Sequence, residues 1–175
     1  MSSTLILGGV KSGKSLLAEA MARQTDLAVH YIATASAKDA EMQQRIISHQ
    51  QRRSAYWQLH EVPLNLASAI QEYCLADHCV LVDCLTLWLA NLLMQDHDDL
   101  LRQEFDNLVA CIQNVKGTLI MVSNETNMGI MPLGALTRRY CDEIGILHQR
   151  LAQQCDNVVL TVAGLPHFLK GQLDE

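Results

Sequence analysis

The stretch "TLILGGVKSGKSLLAEAM", residues 4 to 21, constrains the fold more than any other part of the chain. An apolar run leads into Gly8, Gly9, Val10, Lys11, Ser12, Gly13, Lys14 and Ser15, and a helical pattern follows. This is G-x-x-x-x-G-K-[ST] with a strand before it and a helix after it. The glycines let backbone N–H groups turn inward around phosphate oxygens. Lys14 would neutralise β and γ phosphates, and the Ser15 hydroxyl would face Mg²⁺. The helix N-terminus adds a field that favours an anion. The alternative is an ordinary Gly/Ser turn, and the flanking pattern weighs against it.

The rest of the chain repeats that alternation. Short apolar runs predict strands over Thr4–Leu7, Val29–Thr34, Trp57–Val62, Val80–Asp83, Thr118–Ser123 and Asn157–Val162. Longer patterns predict helices over Lys14–Arg23, Lys38–Gln51, Leu64–Cys74, Leu85–Met94, Asp98–Asn114 and Leu133–Gln154. In the last, Leu136, Tyr140, Ile144, Leu147 and Leu151 recur every three or four residues. The strands read as continuously apolar rather than alternating, as in a parallel sheet covered on both faces. The expectation is an α/β fold in one domain, residues 1 to 175. Ligands in such sheets bind at the carboxyl ends of the strands. That rule brings Gly8, Thr34, Asp83 and Asn124 to one edge.

Composition narrows the partners. With 13 Lys and Arg against 19 Asp and Glu, the chain has no basic footprint for nucleic acid. Its longest apolar stretch, "CLTLWLANLLM" (84 to 94), is too short to span a bilayer. No secretory signal is visible. The six cysteines form no C-x-x-C pair, so a zinc knuckle is not expected. Reduced, buried cysteines in a cytoplasmic protein are expected instead. Met121, Met128 and Met131 read as packing or loop residues, and Trp88 as core first, then subunit contact, then ligand contact. His30, His60, His78, His97 and His167 show no metal-ligand spacing.

Two further features carry chemistry. "CVLVD" ends in Asp83, a carboxylate placed to hold Mg²⁺ directly or through water. "MVSNE" ends in Asn124 and Glu125, a second candidate carboxylate. The other feature is His49 in "RIISHQQRRSAYW", residues 45 to 57. Its segment begins acidic and ends basic, which is also a plain helix charge pattern. A neutral imidazole is a competent nucleophile toward phosphorus near pH 7. It could attack the α-phosphate of a nucleoside triphosphate and displace pyrophosphate, with Arg52 and Arg53 compensating phosphate charge.

Together these segments resemble the bifunctional adenosylcobinamide kinase / adenosylcobinamide-phosphate guanylyltransferase family of cobalamin biosynthesis. The resemblance covers "GGVKSGKS", "YIATA", "DAEMQQRIISHQQRRSAYW", "NETNMGIMP", "GILHQRLA" and "VAGLP". The R-I-x-x-H-x-x-x-R spacing followed by Trp57 is its most specific part. The resemblance implies a RecA-like P-loop fold and a homotrimer. It implies a kinase step on adenosylcobinamide with ATP or GTP, then guanylyl transfer from GTP to adenosylcobinamide phosphate. His49 would carry GMP covalently. Gly8 to Ser15, Ala33, Thr34, Ala35, Gln50, Gln51, Arg52, Arg53, Glu61 and Asp83 would form the nucleotide site, with Ser15 and Asp83 on the metal.

The chain departs from the family pattern at Ser54 (usually proline), Thr126 and Asn127 (usually valine and glycine), Cys141 (often arginine) and His148 (usually asparagine). Asn127 is expected to replace glycine by entering the left-handed backbone region. Two other functions fit the phosphate loop alone. One is a one-step small-molecule kinase with a structural His49. The other is a non-catalytic nucleotide-binding partner protein.

Overall fold

The computed structural model describes residues 1–35 and 56–172. The predicted helix Lys38–Gln51 lies outside the described residues, as do His49, Gln50, Gln51, Arg52 and Arg53.

Among the described residues seven strands form one sheet: β1 (Ser2–Gly8), β2 (Ala28–Ala33), β3 (Gln58–Glu61), β4 (His78–Asp83), β5 (Thr118–Asn124), β6 (Asn157–Val162) and β7 (Leu165–Lys170). Their order is β3-β2-β4-β5-β1-β6-β7. All neighbours run parallel except β6 and β7. The expected mostly parallel sheet flanked by helices is therefore the architecture observed. Between the strands lie α1 (Lys14–Gln24), α2 (Leu66–Tyr73), α3 (Leu85–Leu93), α4 (Asp98–Ile112) and α5 (Ala135–Gln154).

Side chains of a strand alternate between faces, so each central strand feeds two cores. Leu5, Leu7, Val80, Val82, Leu119 and Met121 point to the side packed by α2 to α5. Ile6, Leu81, Ile120 and Val122 point to the side where α1 supplies Ala18 and Ala22. Trp88 is fully buried in the larger core and donates its indole N–H to the Leu64 carbonyl. Burying an indole of ~150–250 Å² contributes roughly 4–6 kcal/mol as an upper figure. Met121 is core, whereas Met128 and Met131 are exposed in the loop after β5.

Four of the histidines without metal-ligand spacing have structural partners. His30, His60 and Tyr73 stack, with His30 Nδ1 3.0 Å from His60 Nε2, and His78 tilts against His30 at 4.6 Å. His97 caps α4, its Nδ1 accepting from the Leu100 amide at 3.1 Å.

The strand missing from the sequence reading is β7. It turns back from β6 through Ala163 and Gly164, whose φ values of 51° and 82° make the two-residue hairpin turn whose twist matches that of its strands. Its side chains are mostly exposed, so it carries no buried apolar run to read.

Candidate active site

The loop between β1 and α1 owes its shape to three close approaches. A Cβ on Gly8 (φ +152°) would lie 2.4 Å from the Thr161 carbonyl oxygen and 2.6 Å from Ser12 Oγ. A Cβ on Gly13 (φ +103°) would meet Gly164 Cα at 3.0 Å. The Gly164 amide donates to the Ser12 carbonyl at 2.8 Å. The tip of the β6–β7 hairpin thus braces the loop, and only glycine fits at both ends of it. Within the loop Ser12 N donates to Gly9 O, and Lys11 takes a positive φ of 56°.

Lys14 is buried and donates from Nζ to the Gly9 carbonyl at 2.6 Å. Burial pulls its pKa down, and nearby Cys84 and Asp83 oppose that shift. The ammonium is therefore folded back over its own loop, beside the acidic end of β4. Ser15 is half-buried at the first turn of α1.

The parallel register aligns the strand ends. Glu61 pairs with Ala33, Ala33 with Asp83, and Gly8 with Asn124. Asp83 Oδ2 accepts from the Tyr31 hydroxyl at 2.7 Å. Thr34 is fully buried, and its hydroxyl spans the next residue of the neighbouring segment. Oγ1 donates to the Cys84 carbonyl at 2.6 Å and accepts from the Cys84 amide at 3.0 Å. The Asp83–Cys84 peptide is cis. Asn91 Nδ2 donates to the Thr34 carbonyl at 2.8 Å. Thr34 therefore fixes the chain that carries Asp83, while Ala35 is half-buried and Glu61 exposed at the rim.

Glu125, the second candidate carboxylate, is turned to other partners. Its backbone N–H donates to the Gly8 carbonyl at 2.9 Å. Its Oε1 accepts from the Asn127 amide at 2.7 Å, and its Oε2 lies 3.7 Å from His148 Nδ1. Asn127 corrects an expectation: it does not enter the left-handed region. Its amide side chain is what matters, donating from Nδ2 to the Cys141 carbonyl of α5 at 2.9 Å.

The phosphate loop, Ala33, Thr34, Ala35, Glu61 and Asp83 are thus gathered at the carboxyl edge. Tyr31, Thr161 and the Ala163–Gly164 tip were not read from sequence as site residues. The only hints were the segments "YIATA" and "VAGLP", which contain or flank them. Among the described residues no group of three or more His, Cys, Asp or Glu side chains is arranged to hold a metal ion. No described helix is long and apolar enough to cross a membrane.

A glycine loop between a buried strand and a helix, at the carboxyl edge of a parallel sheet and facing an acidic strand end, defines a RecA-like P-loop nucleotide-binding protein. A solved structure from Pyrococcus horikoshii OT3 agrees in fold alone, with TM-score 0.53 over 99% of this chain and 88% of that one at 11% identity. The family model described as cobinamide kinase / cobinamide phosphate guanyltransferase matches residues 4–169. The chain is 53% identical to the bifunctional adenosylcobalamin biosynthesis protein CobP of Pseudomonas aeruginosa, covering 96% of this chain and 97% of that one. It is 34% identical to the bifunctional adenosylcobalamin biosynthesis protein CobU of Salmonella typhimurium, covering 92% and 96%. The chain belongs to the cobinamide kinase / cobinamide phosphate guanyltransferase family, a family of cobalamin-biosynthesis enzymes.

Proposed function

We propose that this chain phosphorylates adenosylcobinamide with ATP or GTP and then transfers GMP from GTP to adenosylcobinamide phosphate. In the first step a substrate hydroxyl attacks the γ-phosphorus held over Gly8 to Ser15, and the nucleoside diphosphate leaves. In the second, an imidazole nitrogen of His49 attacks the α-phosphorus of GTP and pyrophosphate leaves. A phosphate oxygen of adenosylcobinamide phosphate then attacks the GMP phosphorus, freeing His49 and giving adenosylcobinamide-GDP.

The observation that carries the reading is the phosphate loop braced at the sheet edge with Lys14 beside Asp83. Ala33, Thr34, Ala35 and Glu61 would border the nucleotide, and Gln50, Gln51, Arg52 and Arg53 would extend its site from the histidine segment. The Ser15 hydroxyl and Asp83 carboxylate are hard oxygen donors. They suit Mg²⁺, which takes a few protein oxygens and completes its shell with phosphate and water. Bound there, it would neutralise charge on the phosphates. For His49 the support is the R-I-x-x-H-x-x-x-R spacing and membership of a guanyltransferase family. The reading includes a homotrimer, which light scattering tests as a mass three times that of one chain.

The deciding experiment uses purified protein, Mg²⁺ and GTP labelled at the α-phosphate. Acid-labile, base-stable label is expected on the denatured wild type and absent from His49→Ala. Wild type without label, yet hydrolysing ATP or GTP when corrinoid is added, would leave the kinase step alone.

A further inference from the structure

The loop after β5 is tied to α5 by one connected set of side chains, and that set ends on the phosphate loop. His148 lies on α5 and is buried. Its Nε2 is 2.8 Å from Ser123 Oγ on β5, and its Nδ1 faces Glu125 Oε2 at 3.7 Å. Burial pushes the imidazole pKa down against the pull of Glu125. A neutral ring can accept from the Ser123 hydroxyl at Nε2 and turn Nδ1–H toward the carboxylate. The other oxygen of Glu125 holds the Asn127 amide, and Asn127 Nδ2 reaches the Cys141 carbonyl about two helical turns before His148 on α5. The Glu125 backbone is meanwhile the last rung from this segment to Gly8, where the phosphate loop begins. Asn127 and His148 enter this set through their side chains.

We propose that Asn127, Glu125 and His148 are positioning residues that hold the end of β5 against Gly8 and thereby set the phosphate loop for nucleotide. The proposal rests on the reading of Gly8 to Ser15 as the nucleotide site. None of the three side chains needs to touch nucleotide, because the link runs through the Glu125 amide and the Gly8 carbonyl.

The packing supplies a test in which stability and function move apart. At Gly145 on α5 the one atom that an added Cβ would crowd is Asn127 Nδ2, at 2.9 Å, so the side-chain amide must shift to make room. Gly145→Ala favours the helix but drives the Asn127 amide off the Cys141 carbonyl. The affinity of the full chain with Mg²⁺ for slowly hydrolysed ATP and GTP analogues is measured by calorimetry, with the melting temperature alongside. Gly145→Ala and His148→Ala should each weaken binding about three- to tenfold, because small displacements of a positioned loop are costly. Gly145→Ala should do so without lowering the melting temperature. The double variant should bind no worse than the weaker single, as expected of one coupled set.

Unchanged affinity in Gly145→Ala, or in a folded His148→Ala, would overturn the proposal, as would independent effects in the double variant. Should His148→Ala not fold, Gly145→Ala decides. Lys14→Ala separates the two levels. Lost binding there with unchanged affinity in the network variants removes only the network. Retained binding in Lys14→Ala removes the nucleotide-loop reading and the proposal with it.

Discussion

Thr34 shows how a single hydroxyl can organise a site without facing it. Its side chain is fully buried and serves both backbone groups of Cys84, the residue after Asp83. Thr34→Val keeps the shape, deletes both bonds and leaves the Cys84 amide and carbonyl without that partner. Leaving such groups unsatisfied costs about 1–3 kcal/mol. The expected result is a lower urea midpoint at unchanged slope, together with weaker Mg²⁺-dependent turnover because Asp83 is less firmly placed. An unchanged midpoint would mean that water replaces the hydroxyl. Lys14 is legible at this scale for a different reason. Its placement is fixed by the local loop that folds around it, so seven or eight residues of sequence suffice to announce it.

At the scale of elements, β2 and β3 carry a pH dependence. His30 has its pKa lowered by burial and then by His78 and His60. That of His60 is lowered by burial, with Glu72 opposing. A depressed histidine pKa means the unfolded chain takes up protons first as the solution is acidified. Stability from this stack is intact above the unfolded value near ~6.5, and is lost as pH falls from there through the folded values. The buried His148 adds in the same direction. The melting temperature should therefore fall between pH 7.5 and 5.5, and His30→Phe, which keeps a ring against Tyr73, should flatten the fall. A wild type indifferent to pH in that window would remove the argument.

The same elements show what the sequence could and could not announce. The inner strands were legible because burial on both faces writes a continuous apolar run, as in "VLV" of β4. The two edge strands carry no such run: β3 is polar and mostly exposed and was read only as the segment Trp57–Val62, and the exposed β7 was not read at all. Helix α5 begins at Ala135 rather than Leu133, since Pro132 and Gly134 break the pattern there. Asn127 was read for its backbone when its side chain is the part in use. Gly164 bracing Ser12 joins residues about 150 positions apart, and local pattern carries no signal for such a contact.

The whole molecule is held by two cores that share their strands, and this predicts how it comes apart. Cys79 lies in the α1-side core, whereas Cys111 and Cys155 lie in the core under α2 to α5. All six cysteines are free, and burial pushes these three thiols up to about 12. The thiolate is the reactive form, so at pH 8 roughly one in ten thousand of such groups is ionised even where reagent reaches it. Alkylation of the three in the native protein should be negligible. The informative quantity is the urea concentration at which each becomes reactive. β1, β4 and β5 each place neighbouring residues on opposite faces. Losing one core therefore loosens the strands that form the other, and cooperative unfolding is expected. Cys79, Cys111 and Cys155 should become labelled at one common urea midpoint when followed by peptide mass spectrometry. A lower midpoint for Cys79 alone would show that the face packed by α1, the helix that begins at the phosphate loop, opens before the rest. Nucleotide that binds the loop would then raise the Cys79 midpoint first and bring the two faces back together, since a ligand stabilises only the state that holds it.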